Sequence, residues 1–292
     1  MRSVSSRPLH VVSWNVDNIT AHLGEKPSRG SLLEVVHALG SPDILCLQEL
    51  RLREGDVVRL RLAEQALPDY ALTHSLANDS KNASFRGGCT YGVGTYARRQ
   101  LGTRPLPRED WEREGRLDII LLDAFRLAIA NVYAVNGTSK PYWDHELGRI
   151  HGDRHAWKRR FHERVAAVAQ ALRERGYDLL LIGDWNVSQH EIDTTPRLRT
   201  EEPHATSRAH FAAAIVEGLD VVDVFRSLHP DARAYTWFNR RSRGKLDAAR
   251  VDFALLSRSR LRDVVEASID EQHVGRLGSD HAPIHLKLSP PG

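Results

Sequence analysis

The chain has 292 residues, 41% hydrophobic and 27% charged, an ordinary globular composition that excludes wholesale disorder. Lys and Arg number 41 against 38 Asp and Glu, and a net charge of +3 does not by itself announce a polyanion partner. The two cysteines, Cys46 in an apolar run and Cys89 in a Gly-flanked loop, exclude a disulfide framework and a Cys-based metal site.

From the start, MRSVSSRPLHVVSW lacks the continuous apolar stretch of a signal peptide, and no window reaches the length of a membrane span. The expectation is a soluble, intracellular monomer with no membrane partner; nucleus, cytoplasm and nucleoid all remain open. Residues 1–8 read as a short extension and 9–289 as a single domain.

Strand-like runs follow one another: LHVVSWNV at 9–16, DILCLQEL at 43–50, YGVGTYAR at 91–98, LDIILLDAF at 117–125 and RLAIANVYAVN at 126–136. Further on come YDLLLIGDWNV at 177–187, AYTWF at 234–238, RVDFALLS at 250–257 and PIHLKLS at 283–289. Between them SLLEVVHALG, DVVRLRLAEQAL and SRAHFAAAIVEGL read as helices. The clearest helix is RHAWKRRFHERVAAVAQALRERG, with Val165, Val168, Ala169 and Leu172 at i, i+3, i+4, i+7 and Gly176 past its end. Its basic face is expected to meet solvent. Many strands with helices interspersed predict an α/β sandwich of two packed mixed sheets flanked by helices, in four layers.

Polar residues gather where the apolar strands end. VVSW gives way to Asn15 and Asp17, ILCLQ to Glu49, LLLIG to Asp184 and Asn186, and GSDHAP carries Asp280 and His281. Each pair spaced by two projects from one side if its strand continues. A single such ending is a turn or a helix cap; several in one chain make a rim of carboxylates. Such a rim calls for a divalent cation, and oxygen donors without Cys favour Mg²⁺ or Mn²⁺ over zinc. A hard cation beside an acid and a histidine suits phosphoryl hydrolysis.

SWNVDN, ILCLQEL, YGVGTYARR, EGR at 114–116, NVYAVN, LIGDWNVSQHEID, DVFRSLHPDARAYTWF, RVDFALLS and GSDHAPI resemble, in order, the motifs of the exonuclease III and apurinic/apyrimidinic endonuclease branch of the endonuclease/exonuclease/phosphatase superfamily. The resemblance spans residues 10–288 and implies a DNase I-like fold. It implies that Glu49, with Asp17, Asn15 and Asp280 near it, binds the metal. Asp184 would orient or deprotonate the attacking water, with Asn186 placing it. His281 would bond the scissile phosphate, oriented by Asp252, and Tyr133 and Asn136 would sit beside the cleaved bond.

Basic residues cluster at Arg51 and Arg53, at 97–100, at 157–164 and at 239–250. WKRRFHER reads as a solvated helix face. Arg240, Arg241, Arg243 and Lys245 fall where the resemblance puts a substrate loop and would grip phosphates, with Trp237 an apolar wall for an extrahelical sugar. The implied partner is double-stranded DNA with a lesion or a 3′ end. The chain departs from the pattern at Ala249, where some relatives have an aromatic residue, in DTTPRLRTEEPHATSR, and in TSKPYWDHELGRIHGD at 138–153.

The expected activity is therefore apurinic/apyrimidinic incision with 3′-to-5′ exonuclease or 3′-end cleaning. One alternative keeps the chemistry in a general nuclease or a phosphomonoesterase, although no WCDR-type signature is present. Another is a catalytically silent DNA-binding module, against which stands the full set of polar endings.

Overall fold

The computed structural model describes residues 7–82, 91–241 and 246–290; Cys89, Arg243 and Lys245 lie outside them. In chain order the strands are β1 (Leu9–Asn15), β2 (Ile44–Gln48), β3 (Tyr70–Ser75), β4 (Val93–Arg98), β5 (Arg104–Pro105) and β6 (Leu117–Leu122). Next come β7 (Leu127–Tyr133), β8 (Pro141–Asp144), β9 (Arg149–Asp153), β10 (Asp178–Asp184), β11 (Thr194–Thr195) and β12 (Val221–Asp223). The last are β13 (Trp237–Phe238), β14 (Ala248–Ala249), β15 (Asp252–Ser257), β16 (Val264–Ile269) and β17 (Ile284–Leu288). The α-helices are α1 (Leu32–Ala38), α2 (Val57–Gln65), α3 (Arg154–Glu174), α4 (His204–Phe211) and α5 (Val224–Leu228).

Two six-stranded sheets form, ordered β16-β17-β1-β2-β4-β3 and β12-β15-β10-β7-β6-β5. Both are mixed: β1 runs parallel to β2 and antiparallel to β17, while β10 runs parallel to β7 and antiparallel to β15. The long apolar runs arise because the central strands are buried on both faces. In β1, Leu9 and Val11 enter the core between the sheets, whereas Val12 and Trp14 pack outward with Leu32 and Val35 of α1. In β10, Leu180 and Ile182 face the other sheet, and Leu179 and Leu181 pack with Phe161 and Val165 of α3. The period of two thus builds a helix–sheet–sheet–helix sandwich.

α3 starts where Asp153 accepts a hydrogen bond from the Ala156 N–H at 2.9 Å and ends before Gly176, whose φ is +80°. Val165, Ala169 and Leu172 are buried as predicted, but the basic face is not simply solvated. Arg154, Lys158 and His162 are buried too. The edge strands β3 and β16 and the hairpin strand β8 were not visible as apolar runs because each is only partly buried, and β9 because it is exposed along nearly its whole length. AYTWF yields only the two-residue β13, in a small sheet ordered β11-β14-β13.

A polar network crosses between the sheets. Gln48 Nε2 donates to Asn131 Oδ1 at 2.7 Å and to Ser13 Oγ at 2.9 Å, and Asn131 Nδ2 donates to the Gly94 carbonyl at 3.0 Å. Each of these residues stands one or two positions before a polar strand ending: Ser13 before Asn15, Gln48 before Glu49, Asn131 before Tyr133. Buried amides paired in this way fix one register between the sheets. Among the described residues no helix is long and apolar enough to cross a membrane.

Candidate active site

The strand endings do converge. β1 closes on Asn15, and β2 runs parallel to it with Asn15 beside Gln48, so Glu49 emerges next to Asn15. In the other sheet Asp184 at the end of β10 lies between Tyr133 on β7 and Asp252 on β15. Gly183 makes this possible: its φ is +141°, and an added Cβ would stand 2.0 Å from the Val132 carbonyl oxygen. The GDWN motif thus needs glycine for close strand approach.

The pairs spaced by two converge through turns and not through continued strands. Asp17 and Asn186 have φ of 60° and 51°, outside β geometry. The Asp17 N–H donates to Asn15 Oδ1 at 3.2 Å, and the Asn186 N–H to Asp184 Oδ1 at 2.8 Å. Each first residue therefore folds its successor back over the rim.

One hydrogen-bonded set links both sheets. Asn15 Nδ2 donates to Glu49 Oε1 and to Asp184 Oδ2, both at 3.1 Å, and Tyr133 Oη donates to the same Glu49 oxygen at 2.9 Å. His281 Nδ1 lies 2.9 Å from Asp252 Oδ2, leaving Nε2 toward Asp184 Oδ2 at 4.0 Å. Ser279 Oγ donates to the Asn15 carbonyl and accepts from the His281 N–H at 3.0 Å, which fixes the GSDHAP loop on β1.

Electrostatics follow from burial. Burial pushes the Asp184 carboxyl well above the usual range, helped by the Asp252 charge and opposed by His281. Burial disfavours a charged His281, yet the Asp252 carboxylate, bonded to it, and Asp184 hold its imidazole above the ordinary value. Burial alone would also raise Glu49, but hydrogen bonds from Arg51 and Asn15 keep it low, as an ionised acceptor. Tyr133 is raised far above 10 by burial and by Glu49, so it stays a donor.

The donor set beside Glu49 is entirely oxygen. Burial raises the Asp17 carboxyl, as do the neighbouring Glu49 and Asp280 charges, while Arg51 opposes them. With Arg51 and Arg29 as the cations beside them, these carboxylates still form an all-oxygen donor set of the kind that fits a hard divalent ion. Arg51, expected on the substrate, turns inward and binds Asp17 and, at 2.9 Å, Glu49. Among the described residues, the three carboxylate or imidazole groups that approach within 4.8 Å of one another are instead Asp184, Asp252 and His281. Since His281 and Asp252 already bond each other, that trio is a proton-handling group first.

All this opens into a cleft of about 960 Å³, lined among others by Asp17, Glu49, Arg51, Tyr133, Asn136, Trp237, Asp280 and His281. Asn136 is exposed there. Trp237 Nε1 donates to Asp280 Oδ2 at 3.3 Å, and Ala249 sits directly opposite it on β14. Arg240 and Arg241 are exposed but do not line the cleft.

Sequence reasoning missed several residues. Arg116 of the EGR motif is fully buried, its guanidinium 3.9 Å from the Tyr91 ring centroid and 4.8 Å from that of Tyr133. It also donates to the Tyr133 carbonyl at 3.1 Å, so it braces that tyrosine from beneath. Lys158 Nζ donates to the Asn186 carbonyl at 2.6 Å, and burial lowers this amine to about 8. A lysine one turn along a basic helix gives no sequence signal of that contact.

A family model described as "Endonuclease/Exonuclease/phosphatase family" matches residues 12–281. An exodeoxyribonuclease of Streptococcus pneumoniae is 27% identical over 296 residues, covering 96% of this chain and 99% of its own length. An exodeoxyribonuclease of Bacillus subtilis is 24% identical, covering 96% of this chain and all of its own. Among solved structures, the 3′ phosphatase NExo from Neisseria, bound to product DNA hairpin, superposes with a TM-score of 0.70 at 22% identity, covering 96% of this chain and 99% of its own.

Proposed function

The chain belongs to the endonuclease/exonuclease/phosphatase family, and from that premise we propose that it is a metal-dependent DNA phosphodiesterase acting in DNA repair. The observation that carries the reading is the continuous set Asp252–His281, Asn15, Asp184, Glu49 and Tyr133, drawn from both sheets onto one cleft. Full-length likeness to two exodeoxyribonucleases supports DNA as the substrate.

Glu49 and Asp17 would hold Mg²⁺, or Mn²⁺ in its place, with Asn15 and Asp280 beside them. Such an ion supplies charge neutralisation at the phosphate oxygens and the departing oxygen. Asp184, its carboxyl raised by burial, accepts the proton of the attacking water, and the Asn186 amide places that water. The protonated imidazole of His281 donates from Nε2 to a nonbridging phosphate oxygen, while Asp252 accepts from Nδ1 and fixes the ring's orientation and charge. Tyr133 donates toward Glu49 and flanks the cleaved bond, with Asn136 at the cleft edge.

Within this reading, 5′-side incision at abasic sites leads, with 3′-end resection as companion activity. The small side chain of Ala249 opposite Trp237 leaves room beside that ring for more than a bare sugar. The test is a labelled duplex with one tetrahydrofuran abasic analogue beside an undamaged duplex, with Mg²⁺ or chelator. Mg²⁺-dependent incision at the analogue, lost in Glu49→Ala and His281→Ala, supports the proposal. Equal cutting of both duplexes makes it a general nuclease, and no cutting of either sinks the nuclease reading.

A further inference from the structure

In the small sheet β11-β14-β13, Trp237 pairs with Ala249 and Ala249 with Thr194, while a single bridge on the other flank pairs Trp237 with His281. Residues directly opposite one another on neighbouring strands send their side chains to the same face. His281, Trp237, Ala249 and Thr194 therefore form one row, and all four line the cleft. At about 5 Å per strand, Trp237, Ala249 and Thr194 stand roughly 5, 10 and 14 Å from His281 along the sheet.

The row is held from both sides. Asp193, with no exposed surface, accepts from Arg226 Nη2 at 2.6 Å and from Arg250 Nε at 2.8 Å, and its carbonyl accepts the Arg250 N–H at 2.7 Å. This ties the strands β11 and β14 to α5. On the other flank the Phe238 N–H donates to the Asp280 carbonyl at 3.0 Å and the Ala282 N–H to the Thr236 carbonyl at 2.7 Å. Thr236 Oγ1 accepts from the Val251 and Asp252 N–H groups at 2.9 and 3.0 Å. A floor fixed at this many points meets a ligand already in shape.

The row changes character along its length. It begins on the imidazole bonded to Asp252, passes to the half-buried indole of Trp237, and ends on a methyl and a hydroxyl. Phosphate belongs at the first position; the uncharged remainder suits a flat ring with a polar edge. A sugar attached to the cut phosphate covers Trp237, and a base carried by that sugar lies over Ala249 with its edge at Thr194. Thr194 Oγ1 reaches the Ala248 carbonyl at 3.5 Å, the limit of a hydrogen bond, and remains able to accept from a donor on that edge. Beyond it the cleft continues past Pro196 and Leu198, so the floor is open at its far end. A large side chain at position 249 would stand up in the middle of the row and cut it short.

We propose that the row Trp237–Ala249–Thr194 seats a nucleotide that is turned out of the duplex and still carries its base, so that this enzyme incises beside unpaired or damaged nucleotides as well as abasic ones. The inference deepens the nuclease reading and rests on it. Ala249 sets the size that is admitted, and Thr194 meets the edge of the base.

Two labelled duplexes, alike except for the base, test it: one has a bulged tetrahydrofuran residue, the other a bulged deoxyadenosine at the same position. With Mg²⁺ the wild type should cut both, with kcat/KM values within about a hundredfold of each other. Ala249→Phe should lower the ratio of deoxyadenosine to tetrahydrofuran cutting by about tenfold or more, the scale on which a filled pocket rejects a larger ligand. Thr194→Val, which keeps the shape of the side chain, should lower that ratio by roughly two- to tenfold, as for one neutral hydrogen bond. A wider gap in the wild type overturns the proposal, and so do variants that slow both duplexes equally.

Binding of the same duplexes in chelator, read by fluorescence anisotropy, separates this inference from the reading beneath it. If the wild type cuts neither duplex, the nuclease reading fails. The seat then stands if Ala249→Phe weakens binding of the deoxyadenosine duplex alone, and falls if both duplexes are bound as by wild type.

Discussion

At the start of β1, the buried Asp43 accepts a hydrogen bond from the His10 N–H at 3.0 Å and another from Arg7 at 3.0 Å, while His10 Nε2 meets His285 Nδ1 at 3.1 Å. At its finish, Asn15 shares its amide between the Glu49 and Asp184 carboxylates, and Asp252 crowds Asp184 from the next strand. Both ends hold buried polar groups on the same strand. At the first the carboxylate has its cation and the histidine is pushed neutral. At the second, carboxylates outnumber cations, and the histidine is held charged. Closed pairing serves stability; carboxylates in excess of the cations beside them suit a place that takes up a further cation.

The sharpest way to break this contrast is to remove a group at each end. His281→Ala should lower kcat by roughly 10²–10⁴-fold, the range for a positioned acid or base, with little change in thermal stability. Chemical denaturation beside a rate assay checks both. If stability collapses and kcat per folded molecule survives, the finish of β1 is structural as well.

Next, saturating Mg²⁺ should raise the wild-type Tm, since an ion that binds only the folded state adds about 2.7 kcal/mol at one hundred times its Kd. Glu49→Ala should abolish that gain while keeping Tm in chelator. A retained Mg²⁺ gain would move the ion away from Glu49.

Between the ends, Asn131→Ala takes the acceptor from one of the two Gln48 amide hydrogens, the other staying on Ser13, and should cost about 1–3 kcal/mol, the penalty of a buried unpaired polar group. Urea unfolding reads it. A loss of kcat larger than the loss of folded fraction would show that the network also aims Glu49 and Tyr133.

The smallest effect is at His10. Burial, then His285 and Lys287, lowers its pKa from 6.5 to about 4. Neutral in the fold and protonated more readily when unfolded, it contributes stability fully above about pH 6.5. That contribution falls away as pH drops toward 4 and changes no further below it. Urea midpoints across this window should slope less in His10→Leu than in wild type, and equal slopes would refute the assignment.

The strand endings were legible because apolar runs broken by Asn, Asp and Glu report both a strand and its exit point. Asn15, Glu49, Asp184 and His281 were found that way. The spacing-of-two logic for Asp17 and Asn186 fails in its geometry, since a positive φ and not a pleat brings them over the rim. Arg51, directly after the Glu49 ending, reads in sequence as a substrate contact, and only the fold shows it between two carboxylates. His155 and Lys158 lie on a helix whose basic face is expected to meet solvent, and His204 in a stretch that reads only as a departure from the pattern; that two helix starts meet at one cleft is a tertiary fact with no local signature. β3 and β16 escaped for a related reason, their half-exposed faces diluting the apolar run.

The hydrogen bonds of Gln48 and Asn131 have a further consequence. Asn15 and Glu49 come from one sheet, and Tyr133, Asp184 and Asp252 from the other. Neither sheet alone owns a working centre, so a half-folded chain has no means of cutting DNA. Because the Gln48–Asn131 clasp joins the strands that carry Glu49 and Tyr133, docking of the two sheets and completion of the cleft are one and the same geometric condition.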